Sequence, residues 1–139
     1  MIYFEIKKDL FRMSGDYYLA HCISSDLAMG AGIAVQFEKR FNLQHEIRKV
    51  RKNSLFPDCV LTGRVFNLIT KNRYWGKPTY KDLTDALIKM RSIADKEGVT
   101  KIAMPKIGSG LDKLNWLQVQ TIILDVFKDM DIEIVVCYV

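Results

Sequence analysis

Pro105-Lys106-Ile107-Gly108-Ser109-Gly110-Leu111-Asp112 lies between a short apolar run, Ile102-Ala103-Met104, and a stretch with the apolar period of a helix. A strand, a glycine loop and a helix in that order present backbone N–H groups to a ligand. Glycine has no Cβ, so a phosphate or diphosphate can come close. Alone, the loop carries little weight, because glycines after strands also make plain tight turns. A second loop of the same kind, Met29-Gly30-Ala31-Gly32-Ile33-Ala34, again follows an apolar run and opens a helix. Two such loops in one small chain point to a ligand that carries phosphates.

Outward from these loops, strands and helices alternate. Ile2–Ile6 reads as a first strand and Tyr17–Ile23 as a second, nearly continuous in apolar character and therefore central. A helix over 31–41 and a more polar one over 44–52 follow. Asp58–Leu61 and Val65–Thr70 form strands that pair through the Thr62-Gly63-Arg64 turn. Pro78 and Thr79 start a helix whose Leu83, Leu87, Met90 and Ala94 share one face, and Gly98 ends it. Asn115-Trp116-Leu117-Gln118 reads as a capping box before a stripe of Trp116, Val119, Ile123, Val126 and Phe127. The final run, Ile132–Val139, is a strand buried on both faces.

This alternation predicts an α/β fold with a mixed, largely parallel sheet. Ligands of such sheets bind beyond the carboxyl ends of the strands. Asp9, Ser24–Gly32, Lys71, Pro105–Asp112 and the terminal Tyr138-Val139 all fall at that edge.

The chain has 139 residues, 49% of them hydrophobic, which suits one domain, 1–139, with a full core. Its apolar runs fall far short of the roughly 20 residues of a membrane span. Its first residues lack a secretory pattern. Cys22, Cys59 and Cys137 have no metal-ligand spacing, and Cys22 and Cys137 sit in strand runs as buried thiols. The expectation is a monomer in the cytoplasm, or the nucleus of a eukaryote, and not secreted, with no metal and no membrane partner. The net charge of +5 concentrates at Arg48-Lys49-Val50-Arg51-Lys52 and Lys71-Asn72-Arg73. No aromatic residue interleaves with the first cluster, which favours a solvated helix face over a nucleic-acid platform.

Six blocks in register carry a family resemblance: Lys8-Asp9-Leu10-Phe11, Ala20-His21-Cys22-Ile23-Ser24, Met29–Ala34, Leu68-Ile69-Thr70-Lys71, Lys77-Pro78-Thr79-Tyr80 and Met104–Asp112. Together they resemble a macrodomain, and within that family the terminal ADP-ribose protein glycohydrolase branch, over nearly the whole chain.

The resemblance implies a three-layer α/β/α macrodomain that binds ADP-ribose and needs no cofactor. It implies that Asp9 accepts a hydrogen bond from the adenine amino group, beside the Leu10 backbone. Ser24 and Gly30, Ala31, Gly32, Ile33 and Ala34 would line the distal ribose and diphosphate. Gly108, Ser109 and Gly110 would close over the diphosphate. Thr70, Pro105, Lys106, Ile107, Leu111 and Val139 complete the implied substrate contacts. Lys71 and Asp112 match the family's catalytic pair, the lysine attacking the anomeric carbon of the distal ribose and the carboxylate moving protons. A lysine must lose its proton to attack, which burial or a positive neighbour such as Arg73 or Lys106 favours.

By position alone, Lys71 reads equally well as a charged residue closing a strand, and Asp112 and Asp9 read as turn residues. His21, inside an apolar strand, reads as a hydrogen-bonded core histidine. Lys8 stands where the family usually has glycine, and the segment from Asn53 to Arg64 has no match. The implied reaction is hydrolysis of ADP-ribose from glutamate esters on proteins, extending to O-acetyl-ADP-ribose. The alternatives are release of ADP-ribose from nucleic-acid bases and a non-catalytic ADP-ribose reader.

Overall fold

Val65, Phe66, Asn67, Leu68 and Ile69 are all wholly buried, which a strand achieves only when layers cover both of its faces. They belong to β4 (Val65–Lys71) in a computed structural model that describes residues 1–139. The other strands are β1 (Ile2–Lys7), β2 (Tyr18–Ser24), β3 (Asp58–Thr62), β5 (Lys101–Met104) and β6 (Glu133–Tyr138). They form one sheet in the order β1-β6-β5-β2-β4-β3. Every neighbouring pair is parallel except β3 with β4, which the Gly63 turn joins as a hairpin.

Period-two alternation divides the sheet's side chains between two cores. Ala20, Phe66, Leu68, Ile102, Met104, Ile134 and Val136 meet α3 (Tyr80–Glu97) and α4 (Trp116–Phe127). Leu19, Val65, Ile69, Ala103, Val135 and Cys137 face α1 (Ile33–Phe41) and α2 (Leu43–Val50). This is the three-layer α/β/α arrangement, with β2 central. No helix is long and apolar enough to cross a membrane.

The helix ends follow local chemistry. Thr79 caps α3 by accepting the Asp82 N–H, and Gly98 ends it in the left-handed region. Asn115 caps α4 by accepting the Gln118 N–H at 3.3 Å. The expected box is only half made, because the Asn115 N–H donates to the Tyr80 hydroxyl at 3.0 Å instead of to Gln118. Glu5 Oε2 accepts from Trp116 Nε1 (3.1 Å) and Gln120 Nε2 (2.8 Å), tying the start of α4 to β1. α1 begins two residues later than the sequence suggests, since Gly32 at φ 62° and ψ −151° is not helical. α2 stops at Val50 because Arg51 turns extended. Its guanidinium donates to the Ser25 carbonyl at 3.0 Å and the Leu55 carbonyl at 2.6 Å.

His21 is the core histidine expected. It is fully buried, with Nε2 2.7 Å from Asn67 Oδ1 and its ring stacked on Phe37 at 3.9 Å. Asn67 Nδ2 donates to Val60 O and Thr62 Oγ1, so Oδ1 is the oxygen facing the ring and Nε2 carries the proton. Burial outweighs the Asn67 bond and lowers the His21 pKa to about 4.

That depression makes stability pH-dependent. The unfolded histidine takes up its proton near pH 6.5, whereas the folded one resists down to about 4. The unfolded state thus binds more protons in this window, and stability falls as pH drops through it, by up to about 3 kcal/mol. His21→Gln, which keeps a donor for Asn67, is expected to lack this loss. Urea unfolding of both proteins at pH 7, 5.5 and 4.5 checks it: equal slopes would sink the assignment.

Candidate active site

The carboxyl ends of β2, β4 and β5 open into a cleft of about 670 Å³. One wall is the loop after β2, with Ser24, Ala28 and Gly30 through Ala34; the other is the loop after β5, with Pro105 through Gly108 and Gly110 through Asp112. Lys71 and Tyr74 enter from the end of β4. The register between β2 and β4 slips at Ile23/Ser24, so that Ser24 lies opposite Lys71 and Thr70 is passed over. This bulge brings the lysine level with the first wall. The Ser25 N–H then donates to the Lys71 carbonyl at 2.8 Å and locks that position.

Lys71 Nζ donates to Asp112 Oδ1 at 2.7 Å, across 41 residues of sequence. Both side chains are mostly withdrawn from water, at 14% and 13% exposure. Lys77 Nζ holds the Leu111 carbonyl at 2.7 Å, steadying the loop that carries Asp112. The same loop is braced internally by Leu114 N–H to Gly108 O (2.7 Å) and Ser109 Oγ to Lys106 O (2.7 Å). Gly108 has φ 72°, and a Cβ there would lie 3.1 Å from Leu114 Cδ1. A Cβ on Gly30 or Gly110 would meet nothing within 4 Å, so both present open backbone.

Asp26 organises the other wall. Its carboxylate accepts from Ser24 Oγ (2.5 Å) and the Ala28 N–H (3.0 Å) locally, and from the Tyr74 N–H (3.0 Å) across the cleft. Burial pushes its pKa up, but these bonds and the Arg73 charge outweigh that and hold the carboxyl below its usual value. Cys22 also lines the cleft. Burial first, and then the charge of Asp112, push its thiol well up, so it stays protonated and is no nucleophile. Lys71 and Asp112 are the oppositely charged pair in direct contact in this cleft. No three His, Cys, Asp or Glu side chains are grouped to hold a metal ion.

Most of the expected residues meet here: Lys71, Asp112, Ser24, Gly30 through Ala34, Pro105 through Gly108, Gly110 and Leu111. Asp9, Leu10, Thr70, Ser109 and Val139 do not line the cleft. Asp9 is exposed beyond β1, its Oδ1 accepting the Phe11 N–H at 3.0 Å, and Leu10 is buried beneath it. Thr70 is buried by the bulge, Ser109 turns back to Lys106, and Val139 is almost fully exposed beyond β6. The positive neighbours expected for Lys71 point elsewhere. The Lys106 ammonium sits over the Tyr138 ring at 4.8 Å, and Arg73 lines a separate cleft. Asp26 and Tyr74 went unread in the sequence. The Ser24-Ser25-Asp26 run signals an Asx-type turn, but the Tyr74 bond is a tertiary contact with no local signal.

No family model matches the chain. It is 44% identical over 133 residues to the Homo sapiens protein "ADP-ribose glycohydrolase OARD1", a match spanning 94% of this chain and 88% of that one. The macrodomain of Thermus aquaticus DarG superposes with a TM-score of 0.84 at 18% identity, over 99% of each chain. This chain is a macrodomain. Thermosipho africanus DarTG, solved in complex with ADP-ribose, superposes with a TM-score of 0.81 at 18% identity, covering 98% of this macrodomain and 41% of that chain.

The two glycines of the second loop are expected to respond differently in this macrodomain. Gly108→Ala should cost about 1–2 kcal/mol, because a left-handed residue gains a Cβ pressed on Leu114. Gly110→Ala should stay within about 0.5 kcal/mol of the parent. Denaturant unfolding checks both values; equal losses would show that the loop's backbone strain is not at Gly108.

Proposed function

We propose that this macrodomain hydrolyses ADP-ribose from macromolecules through Lys71 and Asp112, with the glutamate ester as the bond it cleaves. The observation that carries the reading is the Lys71–Asp112 contact, set largely out of water between two glycine loops. The name of the 44%-identical relative, and the ADP-ribose bound in a solved macrodomain of the same fold, support the choice of ligand.

In this reading the diphosphate lies between the open backbones of Gly30 and Gly110. The N-terminus of α1, left bare of any side-chain cap at Gly32, turns its positive dipole end to the phosphates. Asp9, with Oδ2 unengaged, receives the adenine amino group beyond β1, and Leu10 and Val139 flank it at the same sheet edge. Ser24 and Ala31 through Ala34 border the distal ribose.

The chemistry follows from the contact. Asp112 takes the proton from Lys71, and the freed amine attacks the anomeric carbon of the distal ribose. A C–N bond forms as the C–O bond to glutamate breaks, and the glutamate leaves as a carboxylate, which needs no protonation. Water then adds to the adduct. Asp112 handles the proton transfers that release ADP-ribose and restore the amine. O-acetyl-ADP-ribose, a carboxylate ester of the same sugar, suits the same cleft.

Lys71→Ala is expected to abolish release from an ADP-ribosylated glutamate peptide while leaving ADP-ribose binding within about threefold, since the ligand contacts come from other loops. Lys71→Arg should fail nearly as fully, because a guanidinium stays protonated. In Asp112→Ala, Lys71 can still lose its proton to water and attack, but the proton transfers of release slow, so a covalent ADP-ribose adduct on Lys71 should accumulate, seen by intact mass and peptide mapping. A fully active Lys71→Ala protein would end the covalent route.

Gly110→Val tests the ligand site separately. Its side chain fills the space the diphosphate needs, so calorimetry should show ADP-ribose affinity falling at least tenfold with no loss of stability. Unchanged affinity would remove the loop from the phosphate site.

A further inference from the structure

β1 is an open edge of the sheet, with β6 on one side and no strand on the other. The Ile2 and Lys8 N–H groups donate to the Ile132 and Tyr138 carbonyls, so the even-numbered residues direct their backbone to the β6 side. By the alternation of a strand, Tyr3, Glu5 and Lys7 turn their N–H and C=O groups outward. Such an edge is a template for another strand unless charge, proline or a bulge blunts it. β1 has no proline, pairs with β6 without a break in register, and carries its lysine only at its end.

Its side chains are equally open. Ile2, Phe4 and Ile6 share one face and are 60%, 40% and 38% exposed. Val135 and Cys137, beside Phe4 and Ile6 on β6, are buried among Leu10, Phe11 and Met13, so cover on that face stops one strand short of the edge. On the other face the Tyr3 hydroxyl donates to Glu5 Oε2 at 2.7 Å beneath α4. Leu117 and Leu124 stand three residues before and four after Gln120, which bonds Glu5, and so share the side of α4 turned to this edge. Leu117 is 69% exposed.

Register decides what fits this edge. A two-fold axis normal to the sheet pairs β1 antiparallel with its own copy. Opposed residues must share a face, so the two position numbers of each pair sum to an even number. A sum of 10 sets Glu5 against the copy's Glu5, and a sum of 6 takes Ile6 beyond the partner strand. A sum of 8 sets Phe4 against Phe4, Ile2 against Ile6 and Tyr3 against Glu5. Every pair then matches, apolar on one face and hydroxyl with carboxylate on the other. The outward backbone groups of Tyr3 and Glu5 form the hydrogen-bonded pairs. The apolar residues fall at the non-hydrogen-bonded pairs, where side chains approach most closely. An unrelated peptide would have to reproduce this pattern, whereas a second copy carries it.

We propose that β1 pairs with β1 of a second copy, antiparallel about a two-fold axis at Phe4, joining the two six-stranded sheets into one. A dimer departs from the monomer that the sequence suggests, because strand order, invisible there, leaves β1 bare. The paired strands run oppositely, so the two Lys71 clefts open at opposite edges of the joined sheet and both stay accessible. Pairing needs no ADP-ribose and is independent of the hydrolase reading.

Sedimentation velocity tests the association. One strand pair is a small interface, below about 1,200 Å², so the mass is expected to rise from 16.1 kDa toward twice that over about 5–500 µM protein. Phe4→Lys, which sets two ammonium groups together on the axis, should stay monomeric throughout, with an unchanged urea midpoint showing the fold intact. Disulfide trapping with oxidised glutathione reads the register. Phe4→Cys should cross-link to itself, since the Cα atoms of a non-hydrogen-bonded pair lie about 4.5 Å apart. Ile2→Cys alone should not, because the two copies of that position lie about 14 Å apart along the strands. Mixed with Ile6→Cys, it should form the cross-linked heterodimer. The parent, with Cys59 and Cys137 buried and Cys22 half-buried, should give no cross-link. A monomer throughout the concentration range, or a dimer indifferent to Phe4→Lys, would overturn the proposal. So would Ile2→Cys linking to itself as readily as Phe4→Cys. Should Phe4→Lys lower the urea midpoint, the cysteine set decides alone.

Discussion

Parallel pairing of β2 with both β4 and β5 is the constraint from which the rest of the site follows. Parallel neighbours end at the same edge, so the chain must leave all three strands on one side of the molecule and return through helices. The loops after β2, β4 and β5 are thereby brought together without any need to recognise one another. Helices on both faces exclude water from the strands, and the resulting rigidity lets loops rich in glycine hold one shape. The slip in register at Ser24 then sets the lysine's height against the wall.

Carboxylates finish what the ladder begins. Asp26 ties the β2 loop to the loop after β4 through the Tyr74 N–H, and Asp112 ties the loop after β5 to Lys71. Glu5 fixes the start of α4, where the β5 loop ends, through Trp116 and Gln120. Glu5 and Asp26 are held by donors that favour the charged form, the condition under which a partly buried carboxylate stabilises rather than costs. Lys71 is thus positioned from two sides, between loops whose Gly30 and Gly110 present open backbone.

Two clefts of different character meet at Asp26, which lines one and bonds to Ser24, Ala28 and Tyr74 of the other. One is lined by backbone and small side chains around the lysine–carboxylate pair; the other is open and cationic. The loop from Asn72 to Tyr74 contributes to both.

The layered α/β class, the placement of helices and strands and most of the cleft lining were legible in the sequence, because they rest on local physics. Apolar period marks the strands and helices, Thr79, Gly98 and Asn115 mark helix ends, and paired glycines mark exposed backbone. His21 as a core residue followed from its apolar neighbours in β2. What resisted reading depends on strand order, which brings together residues distant in sequence. The half-made cap at Asn115 needed the Tyr80 hydroxyl, and the early end of α2 needed the Ser25 carbonyl. Lys106 turned to Tyr138 and Trp116 because β6 and α4 flank it. The amino-acid sequence determined which segments would be rigid and which backbone would be bare. Only the tertiary structure decided that Asp26 would meet Tyr74 and that Arg48 would share a cleft with Arg73, because those meetings are set by β2 and β4 lying side by side.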